Sequence, residues 1–139
     1  MTYEFVEHTA DVQFIARGKT LHEAFMSSAH ALFDTMHEGS VIGKRREKKI
    51  TVAGTDLKSL LYNFLEEFIF LLDSEGFICS EVVALDIDEE EHTLSATVIG
   101  DSEKNYAFTN SVKAPTYNDM EIACEKNGGG WKIVCVLDV

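Results

Sequence analysis

The stretch from Asp56 to Val98, DLKSLLYNFLEEFIFLLDSEG running into FICSEVVALDIDEEEHTLSATV, changes its hydrophobic period once, and that change decides the fold class. In the first half Leu57, Leu60, Leu61, Phe64, Leu65, Phe68 and Leu72 recur every three or four residues, which gathers them on one face of an α-helix. Asp56 is placed to accept from the helix's first free amides, and Gly76 to end it. Ile69, Phe70 and Leu71 widen the stripe beyond what a one-sided helix needs and predict deep burial or a partner contact. From Phe77 the period drops to two. Val82, Ala84, Leu85 and Ile87 precede the acidic turn at 88–92, and Leu94, Ala96 and Val98 follow it, the pattern of a β-hairpin.

Upstream, residues 3–7 and 11–17 read as two strands. Thr20 with Glu23 forms a capping box for a helix whose Leu21, Ala24, Phe25, Ala29, Leu32, Phe33 and Met36 share a face. Gly43-Lys44-Arg45-Arg46-Glu47-Lys48-Lys49 holds five basic residues and leads into a strand at 50–53, so a loop or sheet edge carries this charge. Downstream, residues 111–114 suggest another strand. Residues 120–126 and 131–137 form a hairpin through Asn127-Gly128-Gly129-Gly130, whose glycines tolerate positive φ. The element order predicts an α+β fold: a two-layer sandwich of one mixed β-sheet with two α-helices packed on one face, in a single domain covering 1–139.

The chain has 139 residues, 45% hydrophobic and 26% charged, a composition that excludes general disorder. Twelve Lys and Arg against 24 Asp and Glu give a net charge of −12, which repels phosphate backbones and argues against autonomous nucleic-acid binding. Cys79, Cys124 and Cys135 form no CxxC pair and read as reduced thiols, the last two as small buried hydrophobes in strands. The N-terminus lacks a basic and apolar leader, and Glu66 and Glu67 interrupt the densest apolar run. These features predict a cytoplasmic protein with no membrane partner.

No GxGxxG or GxxxxGK[ST] cradle is present, and the segment at 86–91 lacks the glycine and terminal glutamate of an EF-hand. His22, His30 and His37 lack metal-site spacing and are expected at the surface. Asp11, between Ala10 and Val12, and Asp138, between Leu137 and Val139, break apolar strand patterns. A carboxylate against apolar neighbours is costly unless paired or bound to a metal. If the final strand lies beside the first, the two carboxylates could converge at one sheet end and, with main-chain carbonyls and the terminal carboxylate, make an oxygen-rich site for a hard divalent cation.

His8-Thr9-Ala10-Asp11-Val12, Gly18-Lys19-Thr20-Leu21 leading into Glu23-Ala24-Phe25, Val112-Lys113-Ala114 with Thr116-Tyr117, and Val136-Leu137-Asp138-Val139 together closely resemble the archease family over the whole chain. The resemblance implies a small cytoplasmic α+β accessory factor, not itself an enzyme, for the RtcB-type RNA ligase of tRNA splicing. Such a factor promotes guanylylation of the ligase's active-site histidine and multiple turnover, and meets tRNA only through the ligase. By motif, the resemblance assigns a divalent cation to Asp11, Asp138 and an oxygen of Val139, calcium foremost, with magnesium or manganese able to use the same ligands. Lys113, Thr116, Tyr117 and His8 are the further residues it marks for ligase activation. Where the family commonly has a histidine after the Thr-Tyr pair, this chain has Asn118.

Two other classes compete with this reading. One is a small metal-dependent phosphoesterase built on Asp11, Asp138 and Lys113. The other is a general chaperone or modulator of RNA-modifying enzymes, which needs exposed apolar surface near Ile69, Phe70 and Leu71.

Overall fold

Two capped helices organise the chain, which a computed structural model describes for residues 1–7 and 10–139. His8 therefore lies outside the described residues. Helix α1 spans Leu21–Met36; Thr20 Oγ1 accepts from Glu23 N at 3.1 Å, and the Glu23 carboxylate lies 3.8 Å from the Met1 ammonium. Helix α2 spans Leu57–Glu75 and is capped reciprocally, Asp56 accepting from Ser59 N at 2.8 Å and Ser59 Oγ from Asp56 N at 3.1 Å. Gly76 ends it at φ 62°, a conformation that glycine adopts without steric cost. Ile69 and Leu71 are buried as the wide stripe predicts, whereas Phe70 is 55% exposed.

Among the described residues seven strands accompany the helices: β1 (Thr2–Val6), β2 (Asp11–Gly18), β3 (Arg46–Ala53), β4 (Phe77–Asp88), β5 (Thr93–Ser102), β6 (Ala114–Cys124) and β7 (Trp131–Asp138). The α+β class and both helices are as predicted, but the single mixed sheet is not. The strands divide into a four-stranded sheet, β1-β2-β7-β6, and a three-stranded one, β3-β5-β4, with every pair antiparallel. β5 inserts between β3 and β4, and β7 between β2 and β6, so the helical crossovers never join adjacent strands. Nor do the helices lie on one face of one sheet: each touches strands of both sheets. Their breadth of burial is the reason. Leu21, Phe25, Ala29, Ala31, Leu32 and Phe33 of α1 are all within 3% of full burial, more than one apolar stripe could account for.

The strand expected at 111–114 begins only at Ala114. Upstream of it, Asn110 Oδ1 accepts from Val112 N at 2.8 Å while Asn110 Nδ2 donates to Val112 O at 3.2 Å, so a side chain satisfies the backbone that a strand neighbour would otherwise pair. The basic run falls on an edge, as predicted. β3 borders its sheet, Lys44 and Lys48 pair with Glu81 and Glu75 at 2.9 and 2.7 Å, and Arg46 and Lys48 lie over the Phe77 ring. Cys79 and Cys135 are buried, but Cys124, at the end of edge strand β6, is exposed, contrary to expectation.

The three helix histidines are not simply surface residues. β4 is an edge strand whose pairing with β5 shifts register twice, and α1 takes the place of its missing neighbour. His30 Nε2 accepts from Val82 N at 3.2 Å and His22 Nε2 from Ile87 N at 3.3 Å, which requires both rings to be unprotonated at Nε2. His37, the C-terminal cap of α1, is 5% exposed and set edge-on to Phe108. Burial lowers the pKa of both His30 and His37 below the ordinary 6.5, against the opposing pull of Glu81 and Asp34 on His30 and of Asp34 on His37. The unfolded chain therefore takes up protons first. Stability that is fully present above about pH 6.5 is lost as pH falls through the depressed values. Urea unfolding between pH 7.5 and 5 should show this loss, and His30→Gln, whose amide oxygen can still accept from Val82 N, should flatten the profile. A variant profile parallel to wild type would place the loss elsewhere.

Candidate functional site

The end of the four-stranded sheet brings the two candidate carboxylates together. β7 lies antiparallel to β2 with Asp11 directly opposite Asp138, so both side chains stand on the same face of the sheet. The register continues across β6, where Ala114 is opposite Asp138. Lys113 N donates to Asp138 O at 2.8 Å, which fixes the main chain of the VKAxTY block to the strand that carries Asp138. Val139 follows directly and is half-buried. The final strand does not lie beside the first: β2 stands between β1 and β7, and the two carboxylates meet because Asp11 belongs to β2.

The donors gathered here among the described residues are all oxygen, which suits a hard divalent cation better than zinc. Two carboxylates on directly opposed positions also repel each other, and a cation between them removes that cost. Among the described residues no group of three or more His, Cys, Asp or Glu side chains gathers to hold a metal. The two aspartates supply fewer than the six to eight oxygens calcium takes, so main-chain oxygen and water would complete such a set.

The remaining motif residues separate. Lys113 is exposed, one residue before β6. Thr116 Oγ1 donates to Val136 O at 2.8 Å and is part of the ladder. After Thr116 the pairing of β6 with β7 breaks until Glu121, and within the break Asp119 has φ 56°. The break turns Tyr117 onto α2, where its ring stacks on Tyr62 with centroids 4.7 Å apart and planes 11° from parallel. Tyr117 is 54% exposed, so the stack presents an aromatic face outward.

A conspicuous carboxylate that the sequence reading passed over is Asp101. It is buried at the end of β5 and accepts from Ser102 N, Asn105 Nδ2 and Tyr106 OH at 2.8, 3.1 and 2.7 Å. The Tyr106 hydroxyl foremost, with the other donors, holds its pKa below the ordinary carboxylate value. Tyr106 OH in turn accepts from Gly43 N at 2.6 Å, so Asp101 fastens the loop before β3 to the loop after β5 and is structural.

The geometry can be set beside known proteins. The model of the archease protein family (MTH1598/TM1083) matches residues 3–139. The chain is 34% identical to a protein archease of Methanosarcina mazei over 141 aligned positions, covering 99% of this chain and 95% of that protein. It is 39% identical to a protein archease of Pyrococcus furiosus, covering 99% and 98% respectively. The solution structure of Methanobacterium thermoautotrophicum protein 1598 superposes with a TM-score of 0.81 at 33% identity, over 99% of this chain and 98% of that one.

Proposed function

The chain belongs to the archease family, and we propose on that premise that it is a non-catalytic accessory factor. It activates an RtcB-type RNA ligase in tRNA splicing by promoting guanylylation of the ligase histidine and so multiple turnover. The observation that carries the reading is the placement of Asp11 opposite Asp138 at the sheet end, with the Lys113 main chain bonded to Asp138.

In this reading Asp11, Asp138 and a main-chain oxygen of Val139 hold a divalent cation, calcium foremost, with magnesium or manganese as alternatives. When bound, the cation supplies a compact positive charge at the rim of an otherwise acidic protein. The two aspartates hold it at the end of a paired sheet, where strand register limits their movement. Lys113, exposed beside them, offers an ammonium to a phosphate or an acidic ligase group. Thr116 holds the β6 register that positions Lys113, and the Tyr117–Tyr62 stack provides a rigid aromatic contact of the kind enriched at interfaces. The net charge of −12 speeds encounter with a basic, RNA-binding partner and leaves tRNA to that partner. The reading places the protein in the cytoplasm, and no helix among the described residues is long and apolar enough to cross a membrane.

The test is multiple-turnover RNA ligation by the cognate ligase with GTP and manganese. Wild type should stimulate turnover, and Asp11→Ala and Asp138→Ala should lose the stimulation while keeping wild-type circular dichroism. Absence of stimulation by wild type would end the reading, and phosphoester hydrolysis by the protein alone would put a metal-dependent enzyme in its place.

A further inference from the structure

Beside the Asp11 end of β2, a groove of about 490 Å³ opens between the β1–β2 pair and the last turn of α1. Its apolar wall, among the described residues, is Phe5, Val6 and Val12, and Phe5 and Val6 remain 49% and 38% exposed on the edge strand β1. Its acidic lining is Glu7, Asp11, Asp34 and Glu38, with no lysine or arginine among the described lining residues. The Tyr3 hydroxyl donates to the Asp34 carboxylate and pins β1 to α1, which fixes the two sides of the groove relative to each other. This bond, with burial acting first, pushes the Tyr3 pKa up to about 12, so the tie persists across the physiological pH range.

The chemistry of this lining selects its occupant. An apolar side chain alone would strip water from the carboxylates without pairing them. A bare hydrated cation would make no use of Phe5 and Val6. A guanidinium or ammonium on an aliphatic stem satisfies both, the stem covering the apolar wall and the head meeting the carboxylates, with the Phe5 ring open to cation–π contact.

We propose that this groove is the docking slot for an arginine- or lysine-bearing segment of the ligase. The inference rests on the ligase-activator reading above and adds a contact surface to it, on the flank of the Asp11–Asp138 pair. Binding steered by such a slot weakens with salt, and reversing one carboxylate both removes a partner and repels the incoming cation.

The experiment measures binding of the cognate ligase by calorimetry at two salt concentrations, for wild type, Glu7→Lys, Glu38→Lys and Phe5→Ser. All three positions are exposed, and Asp11 is left intact. Each charge reversal should weaken Kd about tenfold or more and reduce its salt dependence, with melting temperature unchanged. Phe5→Ser should weaken binding without altering the salt dependence. Wild type that binds and stimulates the ligase, alongside variants that bind equally well, would overturn the groove proposal and leave the activator reading standing. Wild type that does not bind the ligase would overturn both. A parallel titration with spermidine separates the remaining source of such a cation: loss of spermidine affinity on charge reversal, with ligase affinity unchanged, would assign the groove to a polyamine and overturn the proposal.

Discussion

Phe64→Ala should cost the fold about 3–5 kcal/mol, the usual loss for a fully buried phenylalanine. Phe64 has no exposed surface and stands in a chain of four rings. Phe25 lies 6.1 Å from it, Phe68 meets it edge-on at 5.0 Å, and Phe33 meets Phe68 edge-on at 4.7 Å, so the row of rings crosses from α1 to α2 and back and holds the helices together. Because both helices touch both sheets, a cavity here loosens every layer, and collapse of the site by local movement is limited. Against a total stability of about 5–15 kcal/mol, the loss moves the urea midpoint by about a fifth or more. A loss below about 1.5 kcal/mol would show that the helix pair repacks around the gap and that the rings are not the joint between the layers.

That chain of rings was legible as two helical stripes, but its consequence was not. Period and capping identify α1 and α2 residue by residue, because Thr20, Asp56 and Gly76 act locally on the backbone. Which strands neighbour which is decided by contacts distant in sequence, such as Asp11 with Asp138, and no local signal encodes that β5 enters between β3 and β4. The breadth of the α1 stripe, which includes the small residues Ser27, Ser28 and Ala31, was the available sign that this helix is covered on more than one side. The candidate site follows the same division. Asp11 and Asp138 stood out because each interrupts an apolar strand, whereas Glu7, Asp34 and Glu38 are ordinary surface acids until the fold closes a groove around them. His22 and His30 carry no sequence sign of their role, because a histidine accepting from a strand edge leaves no pattern in its own helix.

Asp138→Asn is expected to reverse its effect on stability according to whether a divalent cation is present. In chelator the substitution removes one of two like charges held on directly opposed strand positions, a repulsion of about 0.2–1 kcal/mol, so the variant should melt slightly above wild type. Asparagine is near in shape, so packing at the end of β7 changes little. With calcium at about 100 times its Kd, wild type gains about 2.7 kcal/mol by mass action, and a domain of this size then melts higher by about 5–10 °C. The variant, with one carboxylate fewer, should gain little, and the two melting curves should exchange order. Magnesium and manganese in place of calcium rank the ions by the size of the shift. Equal stabilisation of both proteins by calcium would place the cation away from Asp138, and no stabilisation of either would remove the cation from the sheet end altogether. A purely structural role for Asp138 gives one sign of effect under both conditions, so the reversal is the signature that separates ligand from strand residue.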